Sequence, residues 1–255
     1  AATGTGDPHG QKKLSSLRYV LLGGESLYAE TVHRWHQLFG RHSTIVNLYG
    51  STETIVNATL YAITPQTPVE SGSIPIGYPK KGSLVRLING QGRMCAVGET
   101  GEMYVGGPCL ANGYYREKNL TEEKFVRLNL PEANGIFYRS GDLAHADETG
   151  LLHFAGRNDD QIQLYGNRIE PGEIEEVIYQ THQVKNVAVI DHRSAAQHRL
   201  AAFVELLQTG IKPSAQQIRD FIAERLPAYM TPHRVILLER MPLNQAGKTD
   251  RAALR

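Results

Sequence analysis

The chain has 255 residues, 41 % of them hydrophobic and 21 % charged, with 27 Lys and Arg against 26 Asp and Glu for a formal charge of +1. That balance leaves no electrostatic footprint for nucleic acid, and no apolar run approaches the roughly 20 residues that a membrane helix needs. The two cysteines, Cys95 and Cys109, sit in no spacing that resembles a zinc site, so the expectation is a soluble, cytoplasmic chain without structural disulfides or structural zinc.

The sequence opens AATGTGDPHG, with no initiator Met and no basic stretch leading into an apolar segment. It does not read as a signal peptide, and the residues are expected to belong to something longer. Leu17–Leu22 has strand character and ends at Gly23-Gly24. Residues 26–39 place Val32, Trp35 and Phe39 three and four residues apart, the spacing of an amphipathic helix, and Gly40 stands where a C-cap glycine belongs. Ser43–Tyr49 reads as a second strand, so strand, helix and strand predict a parallel α/β unit. His33 and His36 lie i, i+3 on that helix with no carboxylate or thiol partner, which reads as packing rather than metal binding. From about residue 60 to 155, short strands (Val85–Ile88, Glu102–Val105, Leu151–Phe154) alternate with turn clusters such as Asn89-Gly90 and Glu148-Thr149-Gly150, the pattern of an antiparallel sheet or barrel. One helix is predicted there, over Thr121–Val126. Beyond 160, a β-pair around Gln161–Glu170 leads into a helix over Pro171–Gln180, with Ile174, Val177 and Ile178 on one face. Strands at Asn186–Ile190 and Ala201–Leu206 follow, and then a helix capped by Ser214 and Gln217 with Ile218, Phe221 and Ile222 facing inward. The composition shift puts a boundary near Gly156–Asp160, ahead of a small α+β domain of about 95 residues.

Several short segments follow one another in a telling order: Asn47-Leu-Tyr-Gly-Ser-Thr-Glu53; Gly101-Glu-Met-Tyr-Val-Gly-Gly107 running on to Ala111-Asn-Gly-Tyr-Tyr115; and Tyr138-Arg-Ser-Gly-Asp-Leu143. Then come Gly156-Arg-Asn-Asp-Asp-Gln161 with Gly166-Asn-Arg-Ile-Glu170, Leu226-Pro-Ala-Tyr-Met-Thr-Pro232, and Asn244-Gln-Ala-Gly-Lys-Thr-Asp-Arg251. Together they resemble the adenylate-forming (acyl-activating) enzyme superfamily, and most closely the amino-acid adenylation domains of nonribosomal peptide synthetases. The Leu-Pro-x-Tyr-Met-x-Pro and Gly-Lys-x-Asp-Arg forms favour that branch over the acyl-CoA synthetases. The resemblance implies an α/β and β core over 1–158, including a β-barrel-like subdomain, followed by a small mobile α+β domain over 159–255.

It also implies a chemistry: an acid and Mg·ATP give acyl-AMP and pyrophosphate, and the acyl group then passes to the phosphopantetheine thiol of a carrier protein. Partners would be a carboxylic acid, a peptidyl carrier protein and neighbouring synthetase domains, with no nucleic acid and no membrane. In Asn47–Glu53 a strand ends at the carboxyl edge where open α/β sheets bind ligands. Tyr49 beside Gly50 offers a flat face for adenine and Asn47 an amide for its edge. Thr52 offers a hydroxyl to a phosphate, and Glu53 an oxygen ligand for Mg²⁺. Asp142, on what reads as a Ser-Gly-Asp turn, would grip the ribose hydroxyls, with Arg157 near the ribose and phosphate. Lys248 corresponds to the lysine that stabilises charge developing on the α-phosphate. Asp159 corresponds to the hinge of the small domain, and Gly166 and Arg168 to positions facing the pantetheine arm.

By position, the acyl pocket includes Leu21, Gly23, Leu48, Val56 and Asn57, a mostly apolar and neutral set that points to an uncharged, aliphatic or aromatic acid. Core packing against the sheet is the competing reading for Leu21 and Val56. Three departures from the family stand out. Ser51 replaces the usual Pro, Gln163 and Tyr165 replace usual basic residues, and Thr3–Gly10 is a poor match to the family's phosphate loop, with His9 in place of Lys. That loop and the Asp that grips a substrate amino group are not found in these residues, so the isolated 255-residue chain is expected to be inactive or nearly so. An acyl- or aryl-CoA ligase and a noncatalytic remnant between synthetase domains are the alternative readings.

Overall fold

The computed structural model describes residues 14–131, 133–194, 197–208, 210, 212–244 and 247–255. The stretch Thr3–Gly10 lies outside the described residues. The chain divides into two compact units between Asp159 and Asp160.

The first unit opens with a four-stranded sheet in the order β1 (Tyr19–Gly23), β2 (Thr44–Tyr49), β3 (Thr59–Ile63), β4 (Tyr78–Pro79). β1 and β2 run parallel, joined by helix α1 (Ala29–Phe39), and the remaining pairs are antiparallel. The expected strand, helix and strand are all present. Val32 is buried, Trp35 packs on Phe39 with ring centroids 4.5 Å apart, and Gly40 at φ 82° caps the helix through its N–H to His36 O. Leu27, Ala29, Val32, Ile45, Ile63 and Ile74 form the core between α1 and one face of the sheet. Burial lowers the pKa of His36, which keeps the ring neutral and supports its reading as a packing residue.

A second, open sheet follows in the order β5 (Leu84–Ile88), β6 (Gly101–Gly106), β8 (Ala133–Ala146), β7 (Phe125–Leu130), with β9 (Leu152–Arg157) also paired to β8. β8 is the spine: β6 takes one of its edges, while β7 and β9 share the other. Bulges between Glu102 and Tyr104 and between Leu143 and Ala144 interrupt the register, and such insertions curl a sheet. Cys109 is buried in this sheet's core and Cys95 packs against it, both free thiols acting as small hydrophobes. The helix expected over Thr121–Val126 is displaced. Helix α2 occupies Lys118–Lys124, and Phe125 already begins β7, opposite Tyr138 and packed ring to ring with it at 5.4 Å. Cross-strand aromatic pairing overrides a local pattern that would have carried the helix two residues further.

The second unit starts with the hairpin β10 (Ile162–Leu164) and β11 (Asn167–Ile169), then helix α3 (Pro171–Tyr179). A three-stranded sheet follows, β12 (Val184–Ser194), β13 (Gln197–Leu206), β14 (Arg234–Leu238), in which β13 and β14 are parallel and joined across helix α4 (Ala215–Ala223). The strands are longer than Asn186–Ile190 and Ala201–Leu206, because the pair continues into one hairpin beyond the buried stretch. Ile174, Val177 and Ile178 of α3 and Ile218 and Ile222 of α4 are buried in a single apolar core, and the capping box of Ser214 and Gln217 is formed.

Glu205 is the exception in that sheet. It is 3 % exposed, and its carboxylate accepts from Lys185 Nζ at 2.6 Å, Asn186 Nδ2 at 2.9 Å and the Met241 N–H at 3.0 Å. These donors, Lys185 foremost, bring its pKa from the ordinary 4.5 down to about 2. The folded value lies below the unfolded one, so the contribution is complete above pH 4.5 and fades as the pH falls to about 2. Glu205→Gln is expected to cost roughly 1–3 kcal/mol at neutral pH. It should also flatten the acid limb of stability between about pH 4.5 and 2, as read from urea midpoints at successive pH values.

Candidate active site

β2 ends at Tyr49, and the chain reverses through Gly50 and Ser51 into a 3-10 turn at Thr52–Thr54. Ile55 and Val56 then take positive φ, 50° and 68°. The reversal presses the Val56 carbonyl onto Gly50 so closely that a Cβ at residue 50 would collide with it, which accounts for the glycine. The Ser51 N–H donates to Thr54 Oγ1 at 3.0 Å, and Thr54 Oγ1 donates to Ser51 O at 3.1 Å. A proline at residue 51 has no N–H for the first of these bonds. Thr52 is exposed on the turn, while Glu53 is buried. Asn47 is buried on β2, and its amide donates to Pro75 O at 2.9 Å.

The turn expected around Asp142 is instead strand. Asp142 lies inside β8, next to the Leu143–Ala144 bulge, and Gly141 at φ 77° supplies the local kink. Pairing with β6 and β9 on either side overrides the turn chemistry of Ser-Gly-Asp. Asp142 is buried, and the Tyr49 hydroxyl donates to one of its carboxylate oxygens while Arg157 Nη1 donates to the other. Its backbone N–H is fixed by Ser140 Oγ at 3.1 Å, and that hydroxyl donates to Met103 O at 2.7 Å. Arg157 also reaches Asp159 with two bonds, Nε to Oδ1 at 2.6 Å and Nη2 to Oδ2 at 2.7 Å, and Ser140 O at 3.1 Å. Burial opposes the Arg157 charge, but the bonds to Asp159 and the charge of Asp142 outweigh it and raise the pKa. Burial first, and then the Asp142 charge, hold the Tyr49 hydroxyl protonated. Tyr49, Asp142, Arg157 and Asp159 therefore form one continuous polar chain, brought together from sequence positions far apart.

Three of the five residues expected around the acyl group, Leu21, Gly23 and Leu48, stand on one face of the sheet. Leu21 pairs with Val46 and Gly23 with Leu48 in register, so strand alternation puts Leu21, Gly23 and Leu48 on the sheet face opposite α1. Leu21 is 64 % and Val56 70 % exposed, so neither packs into the core of the described residues. The Asn57 side-chain oxygen is buried and has no hydrogen-bond partner among the described residues.

Lys248, Gly166 and Arg168 lie in the second unit. Gly166 and Tyr165 both have positive φ, 78° and 49°, and form the two-residue turn between β10 and β11. Arg168 stands opposite Gln163 and 3.7 Å from Glu170. Lys248 is exposed on a small hairpin, where its N–H donates to Asn244 Oδ1 at 3.1 Å and its carbonyl accepts from the Asn244 N–H at 2.7 Å.

Magnesium is the cation that the resemblance implies. Among the described residues no three His, Cys, Asp or Glu side chains cluster as a cage. What the site offers on the 3-10 turn is the buried carboxylate of Glu53, an oxygen ligand suited to a small hard cation that keeps its waters and draws other ligands from phosphates. The donor set fits. Two contributors were not assigned roles by sequence reasoning: Ser140, which fixes Asp142, and Tyr114, whose hydroxyl donates to Glu53 Oε1 at 2.5 Å. Tyr114 does fall in the Ala111–Tyr115 segment, which was the only signal for it.

No helix among the described residues is long and apolar enough to cross a membrane. The sequence matches the AMP-binding enzymes over residues 3–115 and the AMP-binding enzyme C-terminal domain over residues 173–248. It is 36 % identical over 248 residues to tyrocidine synthase 3 of Brevibacillus parabrevis, covering 96 % of this chain and 4 % of that protein. It is 35 % identical to tyrocidine synthase 1 of the same organism, covering 95 % of this chain and 22 % of that one. The fold matches holo-PA1221, an NRPS protein containing adenylation and PCP domains, with TM-score 0.79 and 29 % identity over 96 % of this chain and 41 % of that chain. It also matches the Vibrio cholerae adenylation domain AlmE in complex with glycyl-adenosine-5'-phosphate, with TM-score 0.80 and 28 % identity over 98 % of this chain and 45 % of that chain. The chain thus spans a small part of these curated relatives and under half of these solved chains. It belongs to the AMP-binding, adenylate-forming enzymes, in the branch of the adenylation domains of nonribosomal peptide synthetases.

Proposed function

We propose that the polypeptide carrying this chain activates a carboxylic acid, in the first place an amino acid, with ATP to an acyl adenylate and pyrophosphate, and passes the acyl group to the phosphopantetheine thiol of a carrier protein in the cytoplasm. The observation that carries the reading is the convergence of the Tyr49 hydroxyl and Arg157 on the buried Asp142 carboxylate. This is a charged acceptor held in one orientation beside the end of a parallel strand pair, where nucleotides bind in open α/β sheets.

In this reading Tyr49 presents its ring to adenine, Asn47 lies under the same edge, and Asp142 accepts from the ribose hydroxyls. Thr52, exposed at the start of the 3-10 turn, faces the phosphates, and Glu53 holds magnesium, which supplies charge neutralisation on the phosphate oxygens. Lys248 adds a positive charge where negative charge builds up as the acid attacks. Leu21, Gly23, Leu48, Val56 and Asn57 line the acyl side, and their mostly apolar, uncharged character favours an uncharged aliphatic or aromatic acid. Asp159 serves as the hinge between a core of 1–158 and a mobile domain of 159–255, and Gly166 and Arg168 face the pantetheine arm. Neighbouring synthetase domains complete the set of partners, with no membrane or nucleic acid among them.

The test is ATP–pyrophosphate exchange by that polypeptide across a panel of amino acids, followed by loading of a phosphopantetheinylated carrier or of free coenzyme A. Exchange should require one acid or a narrow set, and the label should move to the carrier. Exchange indifferent to the acid, or transfer to free coenzyme A alone, rejects the proposal.

A further inference from the structure

The segment Ala111–Tyr115 is left without a task by the nucleotide and acyl contacts, yet it grips Glu53 twice. The Ala111 N–H donates to the Glu53 carbonyl at 2.8 Å, and the Tyr114 hydroxyl donates to Glu53 Oε1 at 2.5 Å. Glu53 stands on a 3-10 turn of three residues, Thr52–Thr54, too short to hold a side chain by itself. It is 5 % exposed, so an alternative rotamer that gives up the Tyr114 bond would not regain it from bulk water.

Tyr114 is in turn immobilised on two sides. Its N–H donates to Thr121 Oγ1 at 2.9 Å, and that hydroxyl donates at 2.8 Å to the carbonyl of Glu117, the N-cap of α2. Its ring meets Phe125 edge-on with centroids 5.8 Å apart, and Phe125 rests on the buried Tyr138. A carboxylate fixed through one oxygen by a rigid phenol presents its remaining lone pairs in a set direction, and such outer partners of a metal ligand govern how well it binds.

We infer that Tyr114 is a positioning residue for Glu53, aiming its carboxylate at the divalent cation. The inference rests on the reading of Glu53 as the magnesium ligand. The experiment uses the polypeptide carrying this chain with Tyr114→Phe, Thr121→Val and Glu53→Gln. It measures two quantities: the free Mg²⁺ needed for half-maximal ATP–pyrophosphate exchange, and the affinity for Mn²⁺ in the presence of ATP, followed by the electron paramagnetic resonance of unbound Mn²⁺.

Tyr114→Phe should raise the magnesium requirement and weaken Mn²⁺ binding by about tenfold. The KM for the acid should stay within twofold, and the rate should recover at saturating Mg²⁺. Thr121→Val, which frees the Tyr114 backbone and leaves its hydroxyl in place, should shift both in the same direction by less. If Glu53→Gln weakens both quantities and neither Tyr114→Phe nor Thr121→Val moves them, the inference is overturned and the role of Glu53 stands. If Glu53→Gln moves neither quantity, the role of Glu53 falls and the inference falls with it. A Tyr114→Phe loss of rate that saturating Mg²⁺ does not recover also overturns it, because that is the mark of a general packing defect.

Discussion

Lys248→Ala is expected to slow ATP–pyrophosphate exchange by about 10²–10³-fold, an effect of roughly 3–4 kcal/mol on the barrier, while leaving the melting temperature of the polypeptide unchanged. The two halves of that expectation have separate physical grounds. The side chain is exposed, so its truncation opens no cavity and strips no buried partner. The loop that carries it is held at both ends. Before it, the Met241 N–H is bound by the buried Glu205 carboxylate at 3.0 Å. After it, the Asp250 N–H bonds Pro242 O at 2.8 Å and the Asp250 carboxylate caps helix α5 (Arg251–Leu254). Arg251 then bonds Val189 O at 2.6 Å and Glu175 at 2.7 Å, and pairs with Asp160 at 3.0 Å. The bridge between Leu243 and Thr249 closes the loop into a hairpin. A charge on such a mount needs little reorganisation when the reaction develops charge of its own, which is the condition under which an electrostatic contact acts on rate. An exchange rate unchanged in Lys248→Ala would remove the residue from the chemistry and favour the noncatalytic remnant. A fall in melting temperature parallel to the fall in rate would assign it to structure instead.

How far the residues alone foretold these features depended on whether the deciding contact is local. Helix α3, with Pro171 at its first position, and helix α4, with the Ser214–Gln217 box, carry their own start signals and their own apolar stripes, so both were legible. The parallel pair β1 and β2 was legible for the same reason, because a helical period sits between two apolar runs. The Tyr138–Leu143 segment was not. Ser140, Gly141 and Asp142 have turn chemistry, and only the strands paired on both edges of β8 make them strand. Helix α2 failed likewise at its end, where Phe125 answers to Tyr138 across the sheet rather than to the residues before it. In the candidate site, the resemblance picked out Asp142, Arg157 and Asp159 individually. That one guanidinium spans both carboxylates is a fact of tertiary contact. Tyr114 and Glu53, 61 residues apart, meet by no local rule at all.

Asp142→Asn is expected to weaken ATP binding by about 10²–10³-fold with a far smaller effect on folding. The substitution keeps the shape of the side chain but replaces an ionised acceptor of two oxygens by one neutral carbonyl and a donor. A carboxylate that receives two ribose hydroxyls makes two charge-assisted bonds, each of the class worth about 1.5–3 kcal/mol, and the amide accepts from one at most. The protein side of the network is better buffered. Arg157 keeps its two bonds to Asp159, at 2.6 and 2.7 Å, and its bond to Ser140 O at 3.1 Å, so its charge is not stranded when Asp142 is neutralised. The backbone of residue 142 also keeps the Ser140 Oγ contact at 3.1 Å. A general loosening of the site and a lost ribose contact separate in a cycle that pairs the protein variant with 2′-deoxy-ATP and 3′-deoxy-ATP. The unchanged protein should lose affinity for each deoxy nucleotide by about tenfold, whereas Asp142→Asn should lose clearly less, since its neutral amide accepts from one ribose hydroxyl at most. If the variant still discriminates them as the unchanged protein does, the ribose is held elsewhere. Asp142 would then serve only to fix Arg157 and, through it, the exposed carboxylate of Asp159 at the boundary of the two units.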